Sequence, residues 1–228
     1  MKKVSLLMIV LLILSLPVIT GCGGFFLGGG TSIRGQVVLN GAGTNHVTLF
    51  LVANGKIYGG DSVASDGSFS HANQGYDSEF CVPGTHITFY FNSTDPGAFA
   101  ETSIVDYVVT GGINDLGKIE IGVKGLTLTA PDDDATILSW PADFSWNEYT
   151  GVSSGCEYSM NLKQNSFFGH LNLWSSSSNT ATSCQLAGDE SDYLDSAIAW
   201  DVTVYYQKNG LNFSATTQER SITLTPPG

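Results

Sequence analysis

From Ser32 onward, apolar and polar residues alternate with a period of two, the pattern of strands that bury one face and solvate the other. Ile33, Val37 and Leu39 share a face, and Val47, Leu49 and Leu51 repeat it. Asn54-Gly55 then supplies two residues that tolerate positive φ, as a two-residue hairpin turn requires. Asp66-Gly67 predicts a second hairpin, between Ser62-Val63-Ala64 and Ser68-Phe69-Ser70. Ile87, Phe89 and Phe91 form an apolar face opposite His86, Thr88 and Tyr90, and residues 104–109 and 118–121 read as closing strands. A break at Gly122-Val123-Lys124-Gly125 precedes a second set of strand patterns. Among these are Phe144-Ser145-Trp146, Tyr158-Ser159-Met160-Asn161-Leu162, and a long strand with Ile198, Trp200, Val202 and Val204 on one side. Asn209-Gly210 turns that strand into residues 211–215. With no helical period between them, these segments predict an all-β protein. Two small antiparallel β-sandwiches in tandem, residues 32–122 and 123–228, are expected.

The N-terminus reads differently. Lys2 and Lys3 precede nine unbroken apolar residues, 6–14, too few for the ~20 that a spanning helix needs. Ser15 and Pro17 interrupt the run before the small residues Thr20 and Gly21. Ile19-Thr20-Gly21-Cys22 resembles the lipobox of bacterial lipoprotein signal peptides. The resemblance implies removal of residues 1–21 and acylation of Cys22. An ordinary secretory signal would carry an Ala-x-Ala type site, which is missing here. One acyl chain anchors only marginally, at ~0.8 kcal/mol per buried methylene, so the two or three chains of a lipoprotein would hold it firmly. Residues 22–31 form a glycine-rich tether whose eight residues 23–30 span on the order of 15 Å as a flexible coil. Phe25, Phe26 and Leu27 in it either dip into the membrane interface or pack on the domain. Gly23 stands where related sorting systems place an aspartate for inner-membrane retention, which favours the outer membrane of a bacterial cell envelope.

Charge sharpens this reading. Loss of Lys2 and Lys3 takes the 9 basic residues to 7 against 21 acidic ones, a formal charge of −14. Such a surface disfavours nucleic acid and is repelled by anionic lipid headgroups, so membrane attachment falls to the N-terminal lipid. With Cys22 assigned to lipid, Cys81, Cys156 and Cys184 remain, an odd number. An exported chain permits disulfides, and Cys156 and Cys184, in the same half, are the favoured pair. The bridge would stabilise by roughly 3–4 kcal/mol on loop-closure entropy. The alternative is that all three are small buried hydrophobes.

Two further resemblances follow from quoted residues. Ile33-Arg34-Gly35-Gln36-Val37, Ser65-Asp66-Gly67-Ser68-Phe69, Val82-Pro83-Gly84-Thr85 and Leu116-Gly117-Lys118-Ile119-Glu120-Ile121 make the first half similar to the carboxypeptidase regulatory-like domain, a transthyretin-like β-sandwich. His86 stands where that family usually has an aromatic residue, and the acidic segment 76–79 is an insertion. Members usually serve as accessory or binding modules. Trp146 on an early strand and Trp200-Asp201-Val202 on a late one make the second half resemble a fibronectin type III-like sandwich. There the longer segment 186–195 leaves the role of Tyr193 as a tyrosine corner open.

Candidate chemistry is sparse. Gly151-Val152-Ser153-Ser154-Gly155 fits Gly-x-Ser-x-Gly, but that motif needs a strand-to-helix turn, and only His170 follows as a base. Asp132, Asp133 and Asp134, or Asp189, Glu190, Asp192 and Asp195, could offer oxygen ligands to calcium, yet their spacing is that of solvated turns. His46, His71, His86 and His170 show no ligand spacing and no Cys-x-x-Cys occurs, so neither a metal nor a cofactor is expected. Trp140, Trp174, Tyr205 and Tyr206 are candidates for a platform for sugar rings, with Trp140 and Trp174 expected at the surface, while Trp146 and Trp200 are expected in the core. The sequence therefore predicts a non-enzymatic envelope lipoprotein that binds protein partners or packs through β-sandwich surfaces, with glycan binding as the alternative. Labelled palmitate fed to the producing cells should enter the wild-type chain and be absent from Cys22→Ser; equal labelling of both would remove the lipid assignment.

Overall fold

The computed structural model describes residues 30–72, 75–166, 169–187 and 197–225, and the all-β expectation holds. The first half contributes β1 (Ser32–Leu39), β2 (Ala42–Gly43), β3 (Val47–Ala53), β4 (Lys56–Ser62), β5 (Ser68–Ala72), a 3-10 turn (Gly75–Glu79), β6 (His86–Ser93), β7 (Glu101–Val108) and β8 (Ile113–Glu120). The second contributes β9 (Leu128–Ala130), β10 (Ala135–Ile137), β11 (Ala142–Trp146), β12 (Glu157–Ser166), β13 (Gly169–Ser175), β14 (Ser183–Leu186), β15 (Ala197–Lys208), β16 (Leu211–Thr216) and β17 (Arg220–Leu224). No helix among the described residues is long and apolar enough to cross a membrane.

Two of the predicted hairpins form as the turn chemistry requires. Asn54 and Gly55 take φ of 52° and 73° between β3 and β4, and Asn209 and Gly210 take 53° and 77° between β15 and β16. The Asp66-Gly67 turn also forms, but the strands it joins part company. β5 pairs with β1, whereas β4 pairs with β3. Gly67 is held against another strand, where a Cβ would lie 2.1 Å from the Val37 carbonyl oxygen. The turn is therefore a corner between the two layers of the sandwich and not a hairpin.

Among the described residues, three sheets result. β1 is flanked by β2, β5 and, in parallel, β8. β11 lies between β9 and β14. The remaining strands form one large sheet in the order β10-β17-β15-β16-β7-β6-β3-β4, with β12 on the other edge of β15 and β13 beyond it. This sheet runs straight across the boundary near Gly122, because β16 pairs with β7 through five registered positions from Asn212↔Val105 to Thr216↔Glu101. Residues Thr31–Gly228 form one compact unit.

The core follows the same path. Phe89, Phe91 and Ile104 of the first half and Phe144, Met160, Trp200 and Val202 of the second belong to a single buried cluster. Trp146 and Trp200 are buried as expected, the latter edge-on to Phe144 at 5.1 Å. At the seam, Phe99 meets Tyr149 at 5.6 Å, Tyr149 meets Tyr206 at 5.1 Å, and Tyr206 stacks on Phe213 at 5.1 Å. Burial pushes the Tyr206 hydroxyl far above its ordinary range, so it stays neutral there.

No disulfide is drawn between Cys156 and Cys184 in this structure. Cys184 lies on β14 opposite Phe144, in the sheet of β11, while Cys156 leads into β12 of the large sheet, with its thiol hydrogen-bonded to Tyr158. The two cysteines thus stand on different layers. Cys81 is fully buried, and desolvation with the nearby Asp77 carboxylate pushes its thiol up to about 12, which keeps it inert as a nucleophile.

Continuity across the seam has a measurable signature, since all four tryptophans lie in the second half. Ile104, fully buried on β7 opposite Phe213, is in the first half. Ile104→Ala should cost roughly 2–5 kcal/mol, and the loss should appear in the urea transition reported by tryptophan fluorescence. Halves that unfold separately would leave that transition unmoved.

Candidate functional site

The residues that alternate with the core positions of the large sheet compose its other face, and on β12, β15 and β16 they are mostly polar. On β15, Ile198, Trp200, Val202 and Val204 point into the core, so Asp201, Thr203 and Tyr205 point away from it. On β12, Tyr158, Met160 and Leu162 are buried, which turns Ser159, Asn161 and Lys163 the same way. Strand register then places side chains from both halves in line. Ser159 faces Thr203, Thr203 faces Thr216, Thr216 faces Glu101, Glu101 faces Asn92, Asn92 faces Thr48 and Thr48 faces Ser62. That row crosses seven strands, ~29 Å at the usual inter-strand spacing, without an apolar member. The adjacent row carries the aromatics: Glu157, Tyr205, Ser214, Ser103, Tyr90 and Phe50.

Two open depressions mark this face. One, of about 550 Å³, lies over β12, β13 and β15 and is lined by Ser159, Asn161, Asn172, Ser175 and Tyr205 among others. Another, of about 490 Å³, lies where the halves meet and includes Asn92, Glu101, Lys163, Asp201 and Thr216. Between them a hydrogen-bond network fixes the side chains. Asn172 donates to Ser175 Oγ at 2.9 Å, and Ser175 donates to Asn161 Oδ1 at 2.9 Å. Asn161 Nδ2 in turn donates to Asp201 Oδ1 at 2.7 Å and to Thr203 Oγ1 at 3.1 Å. Thr203 and Thr216 share a hydrogen bond at 2.9 Å, which carries the network onto β16.

Asp201 is the anchor of this network. Its side chain is 1% exposed, and its second carboxylate oxygen is ion-paired with Lys163, which is 25% exposed. Both oxygens are therefore occupied, one by an amide and one by an ammonium, so the carboxylate is placed to hold geometry. Ser103 donates to Glu101 Oε1 at 3.2 Å, while Asn92 Oδ1 is buried at the edge of the seam depression without a hydrogen-bond partner.

Of the residues singled out from sequence, Tyr205 lies on this face and Tyr206 is buried in the core behind it, while the others fall elsewhere. Trp140 is half-buried, with Nε1 donating to the Thr225 carbonyl at 2.7 Å beside β17. Trp174 is half-buried on β13 opposite Leu162, and both indoles pack against the core. β13 and β17 lie on opposite sides of the β12–β15 pair, so the two do not build one platform. Ser153 sits in an exposed loop between β11 and β12, while the side chain of His170 lies outside the described residues. Asp133 accepts from the Ser221 amide at 2.8 Å and Asp132 faces Arg220 at 3.9 Å, so this acidic turn pins β17. Asp189, Glu190, Asp192, Tyr193 and Asp195 lie outside the described residues, as does Cys22. Among the described residues, no three His, Cys, Asp or Glu side chains gather as a metal set.

The polar face was missed because its residues are far apart in sequence. Its one local signal is the polar half of the β15 alternation, Asp201, Thr203 and Tyr205. No known protein family matches the chain, and no curated protein matches it in sequence. Among solved structures it is similar to a "putative carbohydrate binding protein" from Bacteroides uniformis, at 14% identity and a TM-score of 0.31, covering 86% of this chain and 100% of that one. It is also similar to a DUF3823 family protein from Bacteroides ovatus, at 11% identity and a TM-score of 0.27, covering 85% and 98%.

The role of the buried ion pair can be isolated. Lys163→Met leaves the Asp201 charge buried without its cation and should destabilise by roughly 3–5 kcal/mol. Adding Asp201→Asn should restore most of that loss in a urea double-mutant cycle. Two losses that simply add would show that the pair is not coupled.

Proposed function

We propose that the protein is a non-catalytic, lipid-anchored component of a bacterial cell envelope, the outer membrane being favoured, and that it binds a neutral glycan on the polar face of its large sheet. The observation that carries this reading is the register-aligned row from Ser159 to Ser62, flanked by the 41%-exposed ring of Tyr205. Hydroxyl, amide and carboxylate groups set in a line suit a polyhydroxylated ligand, which both donates and accepts along its length. An exposed aromatic ring beside them offers an apolar surface to a sugar's C–H face. The non-catalytic reading is supported by Asp201, whose two oxygens are already bound, and by the exposed loop position of Ser153. The likeness of the halves to carboxypeptidase regulatory-like and fibronectin type III-like modules, read from their motifs, accords with a binding role.

The test is affinity electrophoresis through gels containing neutral polysaccharides. The wild type should be retarded, and Tyr205→Ala should weaken binding about tenfold, or ~1.4 kcal/mol. Trp140→Ala should leave retardation unchanged. Wild-type mobility unaffected across the panel would sink glycan binding, and retention undiminished in Tyr205→Ala would move the site off this face.

A further inference from the structure

Seven large apolar side chains are exposed among the described residues, and four of them, Ile57, Val82, Val108 and Ile113, gather at one end of the first half. The pairings establish this. Val108 faces His86 at the start of β6, Val82 precedes that strand, and Gly84 donates to the carbonyl that follows Val108. Ile57 leaves the β3–β4 hairpin, whose Ala53 faces Ile87. Ile113 opens β8 directly beside Ser32, and the Ser32 amide donates to the Gly112 carbonyl at 2.9 Å. Ile113 is 64% exposed and Ile57 72% exposed, at positions where β-strand ends commonly carry polar residues.

Ser32 is also where the chain joins this end. Nine residues separate it from Cys22, a tether of on the order of 15–20 Å as a flexible coil. An acyl group on Cys22 would hold this end, and not the opposite one, against the bilayer. The polar face is then raised above it, since Asn92 lies six residues along β6 from His86, or ~20 Å. The charges around the apolar group select the lipid. Asp77, Glu79 and Asp106 outnumber Lys56 there, and they are partnered by His71, Lys56 and His86 respectively. Anionic headgroups would be repelled, while zwitterionic ones accept the apolar side chains without that cost.

We infer that this end is a membrane-seating surface, with Ile57, Val82, Val108 and Ile113 dipping into a zwitterionic phospholipid interface beside the acylated N-terminus. The inference rests on the lipid-anchor reading of Cys22. Its test uses the full acylated chain in phosphatidylcholine–phosphatidylethanolamine vesicles, with a photo-crosslinking benzoylphenylalanine placed at Ile113 or at Leu138. Leu138 is 76% exposed and follows β10, which pairs with the end of β17, so it is an equally apolar control remote from this end. Irradiation should attach phospholipid at position 113 at least tenfold more than at 138. Equal capture with the chain still in the vesicle fraction would overturn the inference and leave the anchor standing. Crosslinking at 113 to a second copy of the chain would overturn it in favour of self-association. A chain that carries no palmitate and stays in the soluble fraction would overturn both the anchor and the inference.

Discussion

The pairing of β16 with β7 is the constraint on which the rest of this structure depends. Without it the two halves would be separate sandwiches, each with an open sheet edge, and exposed edges recruit other chains. With it, each edge is covered by the other half, and the aromatic series Phe99, Tyr149, Tyr206 and Phe213 closes the core behind the seam. Glutamine and backbone contacts finish the junction. Gln218 donates to the Ser93 carbonyl at 3.3 Å, and the Ala100 amide donates to the Thr216 carbonyl at 2.9 Å. The seam thus joins apolar packing on one side of the sheet to polar alignment on the other.

A buried charge braces the second-half end of that alignment. A carboxylate that is 1% exposed is costly unless it is paired and hydrogen-bonded, and Asp201 is both. Its partners come from the neighbouring strand β12, so the charge ties two strands together on the side away from the core. The network then passes through Thr203 to Thr216, which sits on the seam strand itself. Side chains held this way lose little further freedom when a ligand arrives, which is how preorganisation favours binding.

Much of the fold was legible in the sequence because period-two alternation and turn chemistry act locally. Asn54-Gly55 and Asn209-Gly210 specify their hairpins by φ alone, and the burial of Trp146 and Trp200 follows from strand alternation. The Asp66-Gly67 turn shows the limit, since the same local chemistry serves a hairpin or a corner, and only the layer packing around Gly67 decides. The polar face was the least legible. Ser62, Asn92, Glu101, Thr216 and Ser159 become neighbours only through cross-strand register, including one pairing between halves that read as independent.

The sharing of one set of strands by the core and the polar row also shapes how such a chain can change over generations. Replacing a half-exposed residue of the row leaves the apolar residues behind it untouched, and surface exchanges of this kind usually shift stability by no more than roughly 0.5 kcal/mol. The groups this face presents can therefore drift by substitution while the fold persists. Insertion or deletion of a single residue within β16 is another matter, because it would exchange Ala215 for Thr216 between core and surface and do the same at every other position of the strand. Lineages of this protein should be free in the outward-facing letters of β16 and rigid in its length.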